Sequence, residues 1–250
     1  MLFLILTFFA CKTEVIEPDT GQIKLVFKPV FEGNPMPLFQ TQTTNDSLIE
    51  DFKLEKLEFF LSNIMVKGNK EKVIENVAYL DFANVLDVNS ASEGIEFTIT
   101  NVPPGDYTGL QIGVGLPDSV NSRAPADYNS QSPLSVDTRY WTGWKSYILS
   151  KIEGTVTNLN DSASVPFMYH AGVNGMYQIV DLNKALTVNA GEVLNIEIEV
   201  NAYQLLFNAN GKITPSSTAQ KMTHSGAVGT AEYELAERSI SNLAASFSIK

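Results

Sequence analysis

Apolar and polar side chains alternate over short stretches along most of the chain. In residues 22–30, Ile23, Leu25 and Phe27 fall on one face, while Lys24 and Lys28 fall on the other. This two-residue period is that of a half-buried β-strand. Similar apolar stretches, bounded by turn residues, predict strands over residues 52–66, 73–82, 95–99, 107–116, 146–156, 165–170, 175–182 and 194–200, and a closing strand at 245–249.

These strands predict an all-β protein, built as an antiparallel β-sandwich with long irregular loops. Strand–helix–strand alternation, which a parallel sheet requires, is absent from the pattern. Residues 52–66 mix a helical and a strand period, and we interpret them as a strand with a bulge. The polar residues 117–138 predict a long loop, and the Gly- and Ala-rich residues 223–236 predict another.

Composition and charge narrow the function. The chain has 250 residues, of which 44% are hydrophobic, so one domain over residues 22–250 can bury a substantial core. The formal net charge is −11. Because nucleic acids and anionic lipid surfaces attract clustered Lys and Arg, we expect no nucleic-acid partner.

The N-terminus carries an addressing signal. Residues 2–9 are apolar except for Thr7, too short a run to span a bilayer, and they lead into Phe8-Phe9-Ala10-Cys11. A short apolar run, a small residue and then cysteine resemble a bacterial lipoprotein signal, although an ordinary signal peptide or a buried strand are alternatives. We therefore expect residues 1–11 to be a signal peptide ending in a lipidated Cys11, and residues 12–21 to be a tether.

This signal predicts a lipid-anchored protein of a Gram-negative cell envelope, either periplasmic or on the outer-membrane surface. The protein would be attached to the membrane through this lipid only. Cys11 is also the only cysteine of the chain, which excludes an internal disulfide and a cysteine metal cluster.

Residues 139–154 hold both tryptophans, Trp141 and Trp144, together with Tyr140 and Tyr147. The stretch begins with a loop-like composition and continues into the strand predicted at 146–156. An aromatic cluster that leads into a strand either plugs a core or forms the wall of a binding site. The pattern leaves both interpretations open.

The two histidines of the chain share a motif, Met168-Tyr169-His170 and Met222-Thr223-His224. In an extended chain, residues two apart point to the same face, so each motif could present a thioether beside an imidazole. These are ligands for copper and other soft or borderline metals. The alternative is that Met168 fills the core, His170 ends a strand and His224 lies in a surface loop.

Motifs of hydrolytic and nucleotide chemistry are missing. The sequence contains no Gly-x-Ser-x-Gly elbow, no His-Glu-x-x-His pair and no phosphate-binding glycine loop before a helix. The carboxylates are numerous, but no recognised spacing pairs them for catalysis. A Ser-His-Asp arrangement without the elbow motif stays open, but hydrolytic chemistry is poorly supported, and we expect that the protein is not an enzyme.

Several short motifs occur in an order that resembles one protein family. They are Leu57-Glu58-Phe59-Phe60-Leu61-Ser62-Asn63-Ile64; Gly105-Asp106-Tyr107 followed by Ile112-Gly113-Val114-Gly115-Leu116-Pro117; Tyr140-Trp141 with Tyr147 and Glu153-Gly154; His170-Ala171-Gly172; and His224 with Ser241-Asn242 and Phe247. Together they resemble the MbnP family, periplasmic or lipid-anchored proteins related to methanobactin-associated copper proteins. The second family tryptophan falls on Gly143, with Trp144 one place later, and Ser146 replaces a glycine.

The resemblance implies copper bound by two histidines and a kynurenine. The matching residues are His170, His224 and Trp141, the last as the precursor of the kynurenine. Met168 and Met222 are further candidate ligands from their own motifs. A partner dihaem enzyme related to MauG and bacterial peroxidases would carry out the oxidation.

A second function competes with copper binding. A surface β-sandwich lipoprotein could bind a glycan or another protein through residues 117–144, with Trp141 and Trp144 stacking on sugar rings. The position of the histidines separates the two. Histidines that converge favour a metal, whereas distant histidines beside an open tryptophan platform favour the binding module.

Overall fold

The structure is a computed structural model that describes residues 19–68 and 71–250. The predicted signal peptide with Cys11, and the tether up to residue 18, lie outside the described residues. Within the described ranges, no helix is both long enough and apolar enough to cross a membrane.

Fifteen strands form most of the regular structure of the described residues. They are β1 (Gly21–Phe31), β2 (Asn34–Pro35), β3 (Thr41–Thr43), β4 (Ile49–Lys67), β5 (Lys72–Asp81), β6 (Ile95–Val102), β7 (Gly105–Val114), β8 (Tyr140–Trp141), β9 (Ser146–Tyr147), β10 (Ser150–Asn158), β11 (Ser164–Ala171), β12 (Gln178–Val188), β13 (Val193–Asn201), β14 (Met222–Thr223) and β15 (Phe247–Ile249). Four α-helices accompany them: α1 (Val88–Glu93), α2 (Asp118–Asn121), α3 (Ala202–Phe207) and α4 (Ala231–Ala245).

The strands build two main sheets. One has the order β15-β13-β1-β2, with β6 also paired to β1, and the other has the order β12-β7-β4-β10-β11-β14, with β3 and β5 paired to β4. A two-stranded hairpin of β8 and β9 stands apart. Pairing is antiparallel except between β1 and β13 and between β11 and β14. The predicted all-β sandwich is therefore confirmed.

The core lies between the sheets and is rich in phenylalanine. Phe27 and Phe59, one from each sheet, are fully buried, and both rings contact Phe247 near the C-terminus, at centroid distances of 5.9 and 5.6 Å. Along β10, burial alternates strictly, with Ile152 and Val156 inside and their neighbours half-exposed. The outer face of this second sheet is therefore free to carry polar side chains.

Two bulges explain the mixed period of β4. Against β10, the pairing skips Glu55, and against β7 it skips a residue between Ser62 and Met65, where Asn63 has a φ of 48°. Each skip shifts the alternation by one, so buried side chains fall three residues apart. The predicted bulged strand is present, with two bulges rather than one within residues 52–66, and a third skip, at Glu50, lies nearer its start.

Helix α4 corrects the loop predicted over residues 223–236, because the helix begins at Ala231. Thr230 caps it by accepting a hydrogen bond from the Tyr233 backbone N–H at 3.2 Å. Tyr233, Ala236 and Ile240 lie on its buried face, at helical spacing. The glycines before the helix and its small side chains made this helical period difficult to recognise in the sequence.

Gly154 provides a test of how closely β4, β10 and β11 pack. A methyl group there would lie 2.2 Å from the Lys53 carbonyl oxygen and 2.7 Å from Cζ of Phe167. Because the first atom is backbone, no rotamer change relieves the clash. We expect Gly154→Ala to lower the free energy of unfolding by about 1–3 kcal/mol in urea titrations. Thr157→Ala, a half-buried control on the same strand, should cost less than about 1 kcal/mol; equal midpoints would contradict the packing.

Candidate metal centre

The two histidines are brought together by the pairing of β11 with β14. Met168 lies opposite Met222 and Tyr169 opposite Thr223 in a parallel register. The next residue of each strand is a histidine, so the imidazoles of His170 and His224 lie side by side. Their ring centroids are 5.2 Å apart, with the rings inclined at 69°. Residues 54 positions apart in the sequence thus form one pair.

Hydrogen bonds hold β14 in this register. The Met168 N–H donates to the Lys221 carbonyl at 2.9 Å, and the Tyr169 hydroxyl donates to the Gln220 carbonyl at 2.7 Å. The buried Ser225 hydroxyl donates to the His170 carbonyl at 2.9 Å. The backbone on both sides of His224 is therefore tied to β11, which limits how far the histidines can separate.

Glu153 of β10 contacts His170 directly. Its Oε1 lies 2.8 Å from Nε2 of His170 and 3.7 Å from Nζ of Lys56. The hydrogen bond from His170 lowers the pKa of Glu153, with Lys56 adding to the effect against the opposing influence of burial. The other ring nitrogen of His170, Nδ1, is buried and has no hydrogen-bond partner. An unsatisfied nitrogen beside a second imidazole is a candidate metal ligand.

Partial burial and neighbouring charges both act on the pKa of His224. Burial lowers its pKa below the ordinary value of 6.5, and the neighbouring His170 lowers it further, whereas Glu232 and Glu153 oppose the shift. The lowered pKa therefore favours the neutral imidazole of His224. A neutral imidazole has a free nitrogen lone pair, which is the form that binds metals.

The tryptophans extend the pair into a row of rings. Trp141 of β8 stacks on His224 at a centroid distance of 6.2 Å and on Trp144 at 5.4 Å. Trp141 remains 45% exposed. The aromatic stretch of the sequence is therefore not simply a core plug: Tyr147 is fully buried, but the two tryptophans form a wall beside the histidines.

Gly172 and Asn121 fix this wall in place. A Cβ at Gly172 would lie 2.3 Å from Cζ3 of Trp144, so only glycine leaves room for the indole. Asn121 is buried, donates to the Gly172 carbonyl at 3.0 Å and accepts from the Tyr147 N–H at 2.9 Å. It thereby ties the chain after His170 to the chain after the tryptophans.

The spacing of the histidines fits one metal ion. At a metal–nitrogen bond of about 2 Å, an imidazole centre lies about 3 Å from the ion, so two imidazoles at a near-tetrahedral angle have centres about 5 Å apart. The described residues contain no group of three or more His, Cys, Asp and Glu side chains at metal-binding spacing. Within residues 19–68 and 71–250, further protein ligands would therefore have to come from outside those four residue types.

Other predicted ligands lie nearby with different exposure. Met168 is half-buried and Met222 is 49% exposed, and both project from the same sheet face as the histidines that follow them. Three neighbours were not predicted to support the site: Glu153, Gly172 and Asn121. Glu153 and Gly172 occur in the family-like motifs, but their spacing in the sequence does not indicate that they lie near the site. Asn121 belongs to none of the motifs.

Comparison with known proteins identifies a family. The sequence model described as MbnP matches residues 20–225 of this chain. No curated protein sequence matches it. Among solved structures, the chain is similar to MbnP from Methylosinus trichosporium, with 16% sequence identity and a TM-score of 0.47, over 85% of this chain and 83% of that one.

Gly172→Ala tests the tryptophan wall. We expect the added methyl group to displace the Trp144 indole and to break its stack on Trp141, because the methyl would lie 2.3 Å from Cζ3 of Trp144. Since the chain has only two tryptophans, tryptophan fluorescence and near-ultraviolet circular dichroism report the change directly. Gly211→Ala is a control with a similar clash, 2.6 Å from Oδ1 of Asn242. Unchanged spectra for Gly172→Ala would show that the wall is not packed as described.

Proposed function

Because this chain belongs to the MbnP family, we propose that it is a copper-binding protein of the cell envelope that holds its metal between His170 and His224. The single observation that supports this most strongly is the 5.2 Å separation of the two imidazole centres. They are the only histidines of the chain, and they come from separate segments. The pairing of β11 with β14, which brings these segments together, supports the proposed shared metal site.

The ligand set follows from the state of each side chain. His170 would bind through Nδ1, which has no other partner, and His224 would bind as a neutral imidazole. Thioethers bind Cu(I) in particular, so Met168 and Met222 are additional candidates on the same face. Copper would supply a redox-active ion at a site that the tryptophans cover on one side.

Trp141 is the residue we propose as the precursor of a kynurenine. An unmodified indole offers only an N–H donor and is not a metal ligand. Oxidative cleavage of the C2–C3 bond of its five-membered ring, with two oxygen atoms added from dioxygen or peroxide, gives a formamide and a ketone. Hydrolysis by water then releases the formyl group as formate and leaves an aryl amine beside the ketone, and both can bind a metal. The partially exposed ring is accessible to a partner enzyme, which we propose to be a dihaem protein of the MauG and peroxidase type that supplies the oxidising equivalents.

The remaining parts of the proposal concern location and activity. We propose that Cys11 is lipidated and that the protein is anchored in the periplasm or on the outer-membrane surface of a Gram-negative bacterium. We also propose that it binds copper without catalysing a reaction of its own. The alternative, a module that binds a glycan or protein through Trp141 and Trp144, is less well supported because the histidines converge beside those rings.

Copper titration tests the metal centre. We expect His170→Ala and His224→Ala each to lower the copper affinity by at least the roughly 10–100-fold that loss of a supporting contact costs. Trp141→Phe should change the affinity of unoxidised protein less. The measurement is competition against Cu(I) and Cu(II) chelators, with Met222→Leu as the variant that tests a thioether contribution.

Wild-type affinity in both histidine variants would contradict the copper proposal. In that case, binding of oligosaccharides that is lost in Trp141→Ala and kept in His224→Ala would establish the alternative. Mass spectrometry of protein purified from its native envelope separately reports whether Trp141 has been oxidised.

Membrane fractionation tests the anchor. Cys11→Ala should move the protein from the membrane fraction to the soluble periplasmic fraction, because the proposed lipid is attached to that thiol. Thr13→Ala, two residues further along, is the control and should fractionate like the wild type. A Cys11→Ala variant that remains in the membrane fraction would contradict lipidation.

A further inference from the structure

We infer that Glu153 is a positioning residue that holds His170 in one tautomer and one ring orientation, so that Nδ1 of His170 is the atom left free for the metal. The role of the free Nδ1 atom as a metal ligand rests on the proposed copper site. The contact between Glu153 and His170, however, is present in the protein without a metal. Glu153 itself is not among the proposed ligands.

The reach of Glu153 follows from the pairing of β10 with β11. Lys151 lies opposite His170, and Glu153 lies opposite Met168, so Glu153 and His170 are diagonal neighbours on the outer face of the sheet. Diagonal cross-strand neighbours are within reach of long side chains. The resulting contact, 2.8 Å from Oε1 to Nε2, has the length of a charge-assisted hydrogen bond.

The chemistry of this contact selects the tautomer. An ionised carboxylate can only accept hydrogen bonds, so the imidazole of His170 must carry its hydrogen on Nε2. A neutral imidazole has only one N–H, and its other nitrogen, Nδ1, therefore carries the lone pair. Without the carboxylate, the preference of His170 for the Nε2–H tautomer would be lost.

Glu153 is itself held from the opposite side. Nζ of Lys56 lies 3.7 Å from Oε1 of Glu153 and 3.9 Å from Oε1 of Glu58, its neighbour on the same strand face. The Glu153 side chain is only 24% exposed and that of His170 only 12%. A cation on one side and the imidazole on the other thus leave the carboxylate little freedom to turn away from His170.

The buried state of Nδ1 distinguishes this arrangement from a simple surface ion pair. Nδ1 has no hydrogen-bond partner, although buried polar atoms normally have one. A chain that only needed to anchor His170 could satisfy both nitrogens. Here one nitrogen is held by Glu153 and the other is left without a partner on the ring that contacts His224.

Nitrogen-15 NMR of the metal-free protein tests the positioning directly. With labelled histidine the spectrum contains only two imidazoles, those of His170 and His224. In the wild type we expect His170 to be in the Nε2–H tautomer. In Glu153→Gln the amide can both donate and accept, so a mixture of the two tautomers should appear.

Glu58→Gln is the matched control. Glu58 lies on the same sheet face, is 14% exposed and also contacts Lys56, but it pairs with Lys151 at 3.0 Å and with the Tyr79 hydroxyl rather than with a histidine. The control should lose ion pairing of the same kind and leave the His170 tautomer unchanged. A tautomer mixture in both variants would assign the effect to general loosening and overturn the inference.

Copper binding provides the second measurement. Glu153→Gln should lower copper affinity by about 10–100-fold and change the Cu(II) electron paramagnetic resonance spectrum, whereas Glu58→Gln should do neither. If Glu153→Gln keeps the wild-type tautomer, or keeps the wild-type affinity despite a changed tautomer, the positioning role is wrong. If the wild type binds no copper at all, the proposed function fails, while the metal-free NMR comparison still decides whether Glu153 orients His170.

Discussion

The candidate site depends on a two-residue ladder, the parallel pairing of β14 on the outer edge of β11. Because the two strands run in the same direction, the residues that follow the last pair, Tyr169 and Thr223, are also adjacent, and these residues are His170 and His224. A slip of one residue would turn His224 to the opposite face of the sheet. Two rungs are too few to prevent such a slip, so the side-chain hydrogen bonds of Tyr169 and Ser225 have to fix the register.

The long path between the two histidines gives the chain the length that a parallel ladder requires. After β11 the chain continues through β12 and β13, in different sheets, and then α3 before it returns at β14. β13 pairs along its full length with β1, at the centre of the other sheet. The segment that carries His224 therefore reaches β11 only after the chain has passed through both sheets.

The strands could be predicted from the sequence because their signal is local. Alternation placed β1, β10 and β13, and the bulges of β4 were readable as a broken alternation. β14 could not be found in this way, because two residues cannot show a period. Helix α4 was readable in principle from Thr230 and the spacing of Tyr233 and Ile240, but its small residues resembled a loop.

The histidines could be selected from the sequence because there are only two, but the residues that support them could not. The contact between Glu153 and His170 depends on the register of β10 with β11, which no single strand encodes. The motif Glu153-Gly154 now has a physical account. Its first residue reaches the imidazole, and its second allows the Lys53 carbonyl and the Phe167 ring to approach closely.

The departures from the family pattern lie between Trp141 and Ser146, and the hairpin shows what they can affect. Trp141 is paired with Ser146, so its position is set by the ladder of β8 and β9. Trp144 lies in the intervening turn, where its N–H donates to the Trp141 carbonyl at 3.1 Å and Lys145 has a φ of 56°. A tryptophan shifted by one place in the turn changes the ring that packs between Trp141 and Gly172. It leaves Trp141, the ring next to His224, where the strand pairing holds it, and that is the physical reason to prefer Trp141 over Trp144 as the residue that could join the histidines.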